Sequence, residues 1–182
     1  RSQTLLAQLY DAPVREDVQD FVVSDRRALS AAVGEQAGEG ADEQVFVVED
    51  EQGVRLGLFI ESGVLDRLAR RDPLQALDED NLADFCTALE GVSHFHYLVW
   101  SLARGRNVSL LELELQAEVD KYATALALMT RQRAGCFPGS LHARMFHAVS
   151  FLPQLDEISR RRYEEANRHA ARYCRSLEGR FL

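Results

Sequence analysis

The sequence predicts an α-rich α+β fold, with a bundle of three to four long helices in the C-terminal two-thirds, preceded by short helices and one β-hairpin. Three observations predict it. From about Asp80 onward apolar residues recur at helical spacing, broken only at Gly105 and between Gly135 and Gly139. Two β-rich runs, Gln44–Glu49 and Val54–Ile60, flank Asp50-Glu51-Gln52-Gly53, a hairpin signal with Gly placed for the turn. Ahead of the hairpin, short helical patterns are cut by Pro13 and by a Gly- and acid-rich stretch, Gly34 to Glu43.

Taken in order, residues 2–33 read as two or three short helices, restarting near Ser24, where a Ser-Asp pair can cap. The hairpin follows; two strands alone are marginal, so they must pack on helices or pair with another edge. Ser62–Arg70 is a short helix stopped at Asp72-Pro73, because proline restricts the residue before it. Long helical patterns then cover roughly 80–104, 109–131, 140–150 and 154–178. The chain reads as a single domain over 1–182, with 1–78 holding the short helices and hairpin and 79–182 the bundle.

Composition narrows the classes of function. The chain is 46% hydrophobic and 27% charged, ordinary for a globular protein with a core. No stretch approaches the ~18 consecutive apolar residues of a membrane span, and no signal-peptide pattern opens it. Cys86, Cys136 and Cys174 are odd in number and lack C-x-x-C spacing. They read as buried structural thiols in a reducing, cytoplasmic setting rather than as a disulfide frame or zinc site. The net charge of -8 disfavours nucleic acid, but it is uneven. Residues 131–182 carry ten arginines against five acids, while residues 1–130 carry eleven cations against twenty-four acids. Pairing within the molecule, self-association or a protein partner would absorb that field. No P-loop, dinucleotide fingerprint, H-E-x-x-H or G-x-S-x-G motif occurs.

Lys121 is the only lysine beside twenty arginines, which marks a position wanting a compact ammonium rather than a planar fork. In its helix Ser109-Leu110-Leu111-Glu112 forms a capping box, so Glu112 has a local job. At about 100° per residue, Leu111, Leu115, Val119, Tyr122, Leu126 and Met129 form one apolar stripe. Leu110, Leu113, Ala117 and Leu128 form a second. Glu114, Glu118 and Lys121 project between the two, and Gln116 and Asp120 fall on the opposite face. Charges in that arc must be paired or ligated.

On the preceding helix, Phe85, Leu89, Val92, Val99 and Ala103 make the core stripe, with His96 inside it. Glu90 and His94 lie one turn apart on another face, a spacing that can chelate a metal, orient an acid–base pair or merely form a surface pair. In the last helix Leu155, Ile158, Ala166, Tyr173 and Leu177 make the stripe. Arg162 and His169 fall within or beside it, and Arg162 is the natural counter-charge for Glu114 or Glu118 in a bidentate pair.

Three uses follow. The first is a binding or regulatory protein whose buried Glu114, Glu118, Lys121, Arg162 and His network specifies the bundle. The second is a metal-dependent hydrolase or other acid–base enzyme, with Glu114, Glu118, Lys121 and His94 catalytic and Glu90 and His94 holding a divalent metal. In it Arg162, His169 and His96 would bind a small-molecule ligand. The third is a helical RNase-like protein using Arg162 and His169.

Overall fold

The computed structural model describes residues 2–34, 40–50, 53–149, 153 and 155–181. The architecture is α-rich α+β. Short helices α1 (Ser2–Tyr10) and α2 (Arg26–Val33) flank a single 3-10 turn, Val18–Phe21, which leads into the two-residue strand β1 (Val22–Val23). The hairpin strands are β2 (Glu43–Asp50) and β3 (Gly53–Ile60), followed by α3 (Ser62–Arg70). The long helices are α4 (Leu82–Leu102), α5 (Leu110–Gln132) and α7 (Glu157–Phe181), with the short α6 (Leu141–Phe146) between the last two.

Local chemistry sets these boundaries. Asp25, rather than Ser24, caps α2 by accepting from the Arg27 N–H at 2.8 Å. Ser109 caps α5 by accepting from the Glu112 N–H at 3.2 Å, as the capping-box pattern predicts. Gly105 adopts φ +65 just beyond α4, a left-handed conformation suited to glycine. The third of the four long helical patterns is short, covering Leu141–Phe146 instead of 140–150. The hairpin turn at 51–52 and the loop interior at 35–39 lie outside the described residues.

The sheet order is β1-β3-β2, with β2 antiparallel and β1 parallel to β3. Strand β1 was not apparent from the sequence, since two valines show no periodicity. It supplies the second edge partner that the hairpin needs. Leu58, Phe59 and Ile60 of β3 are buried, and the sheet packs on α4. Helix α5 is central, touching α1, α4, α6 and α7. The core runs from Leu58 and Ile60 through Phe85, Leu89 and Phe95 to Tyr122, Leu128, Phe146 and Cys174.

Several face assignments are corrected. In α7 the buried line is Ala166, Ala170 and Cys174. Small residues one turn apart allow α7 to approach α5 closely, which turns Tyr173 to solvent and leaves Ile158, in the first turn, 80% exposed. Leu110 and Leu111 are likewise exposed at the start of α5. Ala103 falls beyond the end of α4 and is exposed. Of the three cysteines only Cys174 is buried; Cys86 is half-buried and Cys136 is exposed in the loop after α5.

Candidate functional site

The acidic residues of α4 and α5 meet where the two helices pack side by side. Lys121, only 9% exposed, donates to Glu90 Oε2 at 2.7 Å and to Glu118 Oε1 at 2.8 Å. A single ammonium with three rotatable donors therefore serves two carboxylates on different helices, which suits lysine better than arginine. Burial disfavours the charged amine, but Glu90 and Glu118 outweigh it and hold Lys121 protonated well above its ordinary range. Burial also pushes Glu90 upward, yet Lys121 and then His94 pull it below the usual carboxylate value. Glu118 stays raised, because burial exceeds the pull of Lys121.

One turn along α4 from Glu90, His94 faces Glu114 of α5, with Nε2 3.5 Å from Glu114 Oε2. On its other side Nδ1 lies 3.9 Å from Glu43 Oε1, at the first residue of β2. Arg162 of α7 approaches the second oxygen of Glu114, with Nε 3.4 Å from Oε1. This is an ion pair but not the bidentate one expected, and the buried Arg162 Nε has no hydrogen-bond partner. Burial lowers the affinity of His94 for a proton, but Glu114, Glu43 and Glu90 together raise it to about 9. Glu43 is pushed up to about 8, chiefly by burial, against the pull of His94.

Besides Arg162 Nε, two more atoms in this cluster are unsatisfied. His94 Nε2 and Glu43 Oε2 are both buried without a hydrogen-bond partner. Unpaired buried polar atoms cost free energy and call for an explanation. One ligand atom each from Glu90, His94 and Glu114 lies within 4.8 Å of the others. Ligands about 2.1 Å from a metal stand roughly 3–4 Å apart, so side-chain rotations of about an ångström would close the set. Its donors are carboxylate and imidazole without thiolate. Cys86, near Lys121 and Glu118, is held as the thiol, burial pushing it up to about 12.

Glu90, His94, Glu114, Glu118, Lys121 and Arg162 are thus brought together. His169 is not: it is exposed on α7, while Arg162 turns inward to Glu114. His96 is buried as its stripe position predicts, but it lines a separate cleft with Tyr97, Trp100 and Asp120. Sequence reasoning missed two residues. Glu43 shares the inward strand face with Val45, so period-two alternation carried back one step could have found it. Asp120, assigned to the outer face, is 3% exposed because α1 covers that side of α5.

Gly91 explains how Glu43 reaches the cluster. A Cβ at this position would stand 2.8 Å from Glu43 Oε2 and 2.6 Å from Leu58 Cδ1, so glycine opens α4 to the strand carboxylate. No family of known proteins, no curated protein and no solved structure matches this chain. Among the described residues no helix is long and apolar enough to cross a membrane.

Proposed function

We propose that the protein binds a divalent metal ion through Glu90, His94 and Glu114, with Glu43 as a neighbouring carboxylate able to join or orient the set. The convergence of one ligand atom each from Glu90, His94 and Glu114, together with a buried His94 Nε2 that has no hydrogen-bond partner, carries this reading. Charge supports it. With His94 neutral and Glu43 ionised, as ligation requires, the carboxylates Glu43, Glu90, Glu114 and Glu118 face two cations among the described residues, Lys121 and Arg162. The imbalance is two negative charges, which a divalent cation cancels. A mixed oxygen and nitrogen set favours Zn²⁺, Mn²⁺ or Fe²⁺ over Ca²⁺, which takes more oxygen ligands. Lys121 and Arg162 would act behind the ligands, fixing Glu90 and Glu114 through their remaining oxygens.

Such a centre fits the acid–base or hydrolytic use, with Glu118 beside it as the carboxylate raised by burial. The test is elemental analysis of the purified protein after equilibration with Zn²⁺, Mn²⁺ and Fe²⁺. About one metal per chain is expected, lost in His94→Ala and Glu114→Gln and kept in Glu118→Gln. Metal below one-tenth stoichiometry in the parent protein would overturn the proposal.

A second reading has its own observation. The Glu90–Lys121–Glu118 triad is satisfied at 2.7 and 2.8 Å without any ion, as a network that only specifies the bundle would be. A binding or regulatory role, through self-association or a protein partner, would then fall to other surfaces. An RNase-like use gains less, because Arg162 and His169 point to different surroundings.

A further inference from the structure

On the other side of the α4–α5 seam lies a cleft of about 250 Å³, roofed by the end of α1 and the Ala12 segment. Its walls are Tyr10, Tyr97 and Trp100, and its polar floor is Asp120 and His96. Asp120 accepts from Tyr10 OH, from Ser93 Oγ at 2.5 Å and from Gln116 Nε2 at 2.7 Å. All three donors are neutral, and among the described residues no arginine or lysine pairs with this carboxylate. Burial consequently pushes Asp120 above the usual carboxylate range, although Ser93, Tyr10 and Gln116 each pull it back. His96 is 5% exposed, and neither ring nitrogen has a hydrogen-bond partner.

We propose that this cleft is a binding site for a small organic ammonium ion, a primary amine or methylated ammonium on a short apolar or aryl body. The lining is rich in acceptors and poor in free donors. It combines a carboxylate without an arginine or lysine partner, an imidazole whose nitrogens are unpartnered and three aromatic rings, and π faces attract cations most strongly when desolvated. The ring of Trp100 already attracts cations, with the Arg104 and Arg106 guanidinium carbons 4.2 and 5.6 Å from its centroid. A carboxylate has about four acceptor positions, so the three bonds to Asp120 leave one for an N–H of the ligand. The volume suits one ring or a short chain and excludes a dinucleotide. An inorganic metal ion is a poorer occupant, since the aromatic walls supply no ligands.

Trp100 is the only tryptophan in the chain, so intrinsic fluorescence reports on this cleft alone. The experiment titrates the full chain with benzylammonium and choline, and with their neutral counterparts benzyl alcohol and 3,3-dimethylbutanol. A saturable change is expected with at least one cation, about tenfold or more tighter than with its neutral counterpart. Asp120→Asn should weaken the cation by at least about tenfold and leave the neutral compound unchanged. Should that variant not fold, Ala12→Phe, which fills the mouth, should abolish the response. No saturable response to either cation up to about 10 mM would overturn the proposal. So would equal affinity for the cation and its neutral counterpart, or a response that persists in Ala12→Phe. The readout is independent of the metal centre, so neither result bears on that reading.

Discussion

Replacing Lys121 with methionine tests whether the buried ion triad is as tightly coupled as its geometry states. The substitution keeps the apolar stem and removes the ammonium that bonds Glu90 at 2.7 Å and Glu118 at 2.8 Å. Two carboxylates on adjacent helices would then face each other without the ammonium they share. Removing one partner of a buried pair costs about 3–5 kcal/mol. Glu90 and Glu118 keep 21% and 17% of their side-chain surface, so water recovers part of that loss. The expected cost is therefore near the lower end, about 3 kcal/mol. At about 2–4 °C per kcal/mol for a chain of this size, the melting temperature should fall by roughly 6–12 °C. Urea unfolding at pH 7 measures the free energy directly.

The sign of the pH dependence is a second check on the same variant. Lys121 is the main group pulling Glu90 and Glu118 down against burial. Without it, both carboxyls bind protons more tightly folded than unfolded. That contribution is fully present at low pH and is lost as pH rises through the raised folded values. The deficit of the variant should thus be small near pH 4 and complete at pH 7. Stability within about 1 kcal/mol of the parent at pH 7, or a deficit independent of pH, would refute the coupling.

The remaining expectations concern the same neighbourhood. Glu118→Gln should cost less than Lys121→Met, about 1–3 kcal/mol, because the Lys121–Glu90 bond survives; a neutral result in urea unfolding would count against a structural role for Glu118. Gly91→Ala should destabilise by about 1–3 kcal/mol through contact with Leu58 and Glu43, checked by thermal melting. Metal-free protein should lose stability as pH rises from about 5 to 9. Glu43 moves from an ordinary 4.5 to about 8 and His94 from 6.5 to about 9, both raised on folding, so both contributions fade as pH climbs through those values. Saturating Zn²⁺ or Mn²⁺ should reverse that trend, because the metal requires the deprotonated forms. At one hundred times Kd it should add about 2.7 kcal/mol; an equal shift in His94→Ala would place the metal elsewhere.

The helices, their caps and their stops were legible along the chain because they depend on neighbours within about one turn. Ser109, Gly105 and Asp72-Pro73 act locally, and apolar residues at helical spacing announce α4 and α5 wherever the rest of the chain lies. The charges of Glu114, Glu118 and Lys121 were legible as misfits between two apolar stripes, and a lone lysine among arginines singled out their centre. What these residues meet was decided only by packing. Glu43 enters the cluster from a strand far away in sequence, through the space left by Gly91. Asp120 looked solvent-facing because periodicity describes one helix as if it had one inside. With α1, α4 and α7 all packed around α5, its polar arc is enclosed at Asp120. Likewise Arg162 and His169 share a helix face by arithmetic, but the Ala166, Ala170 and Cys174 line sets the contact with α5 and sends only Arg162 inward. Periodicity ranks the faces of an isolated helix, whereas burial depends on how many partners surround it.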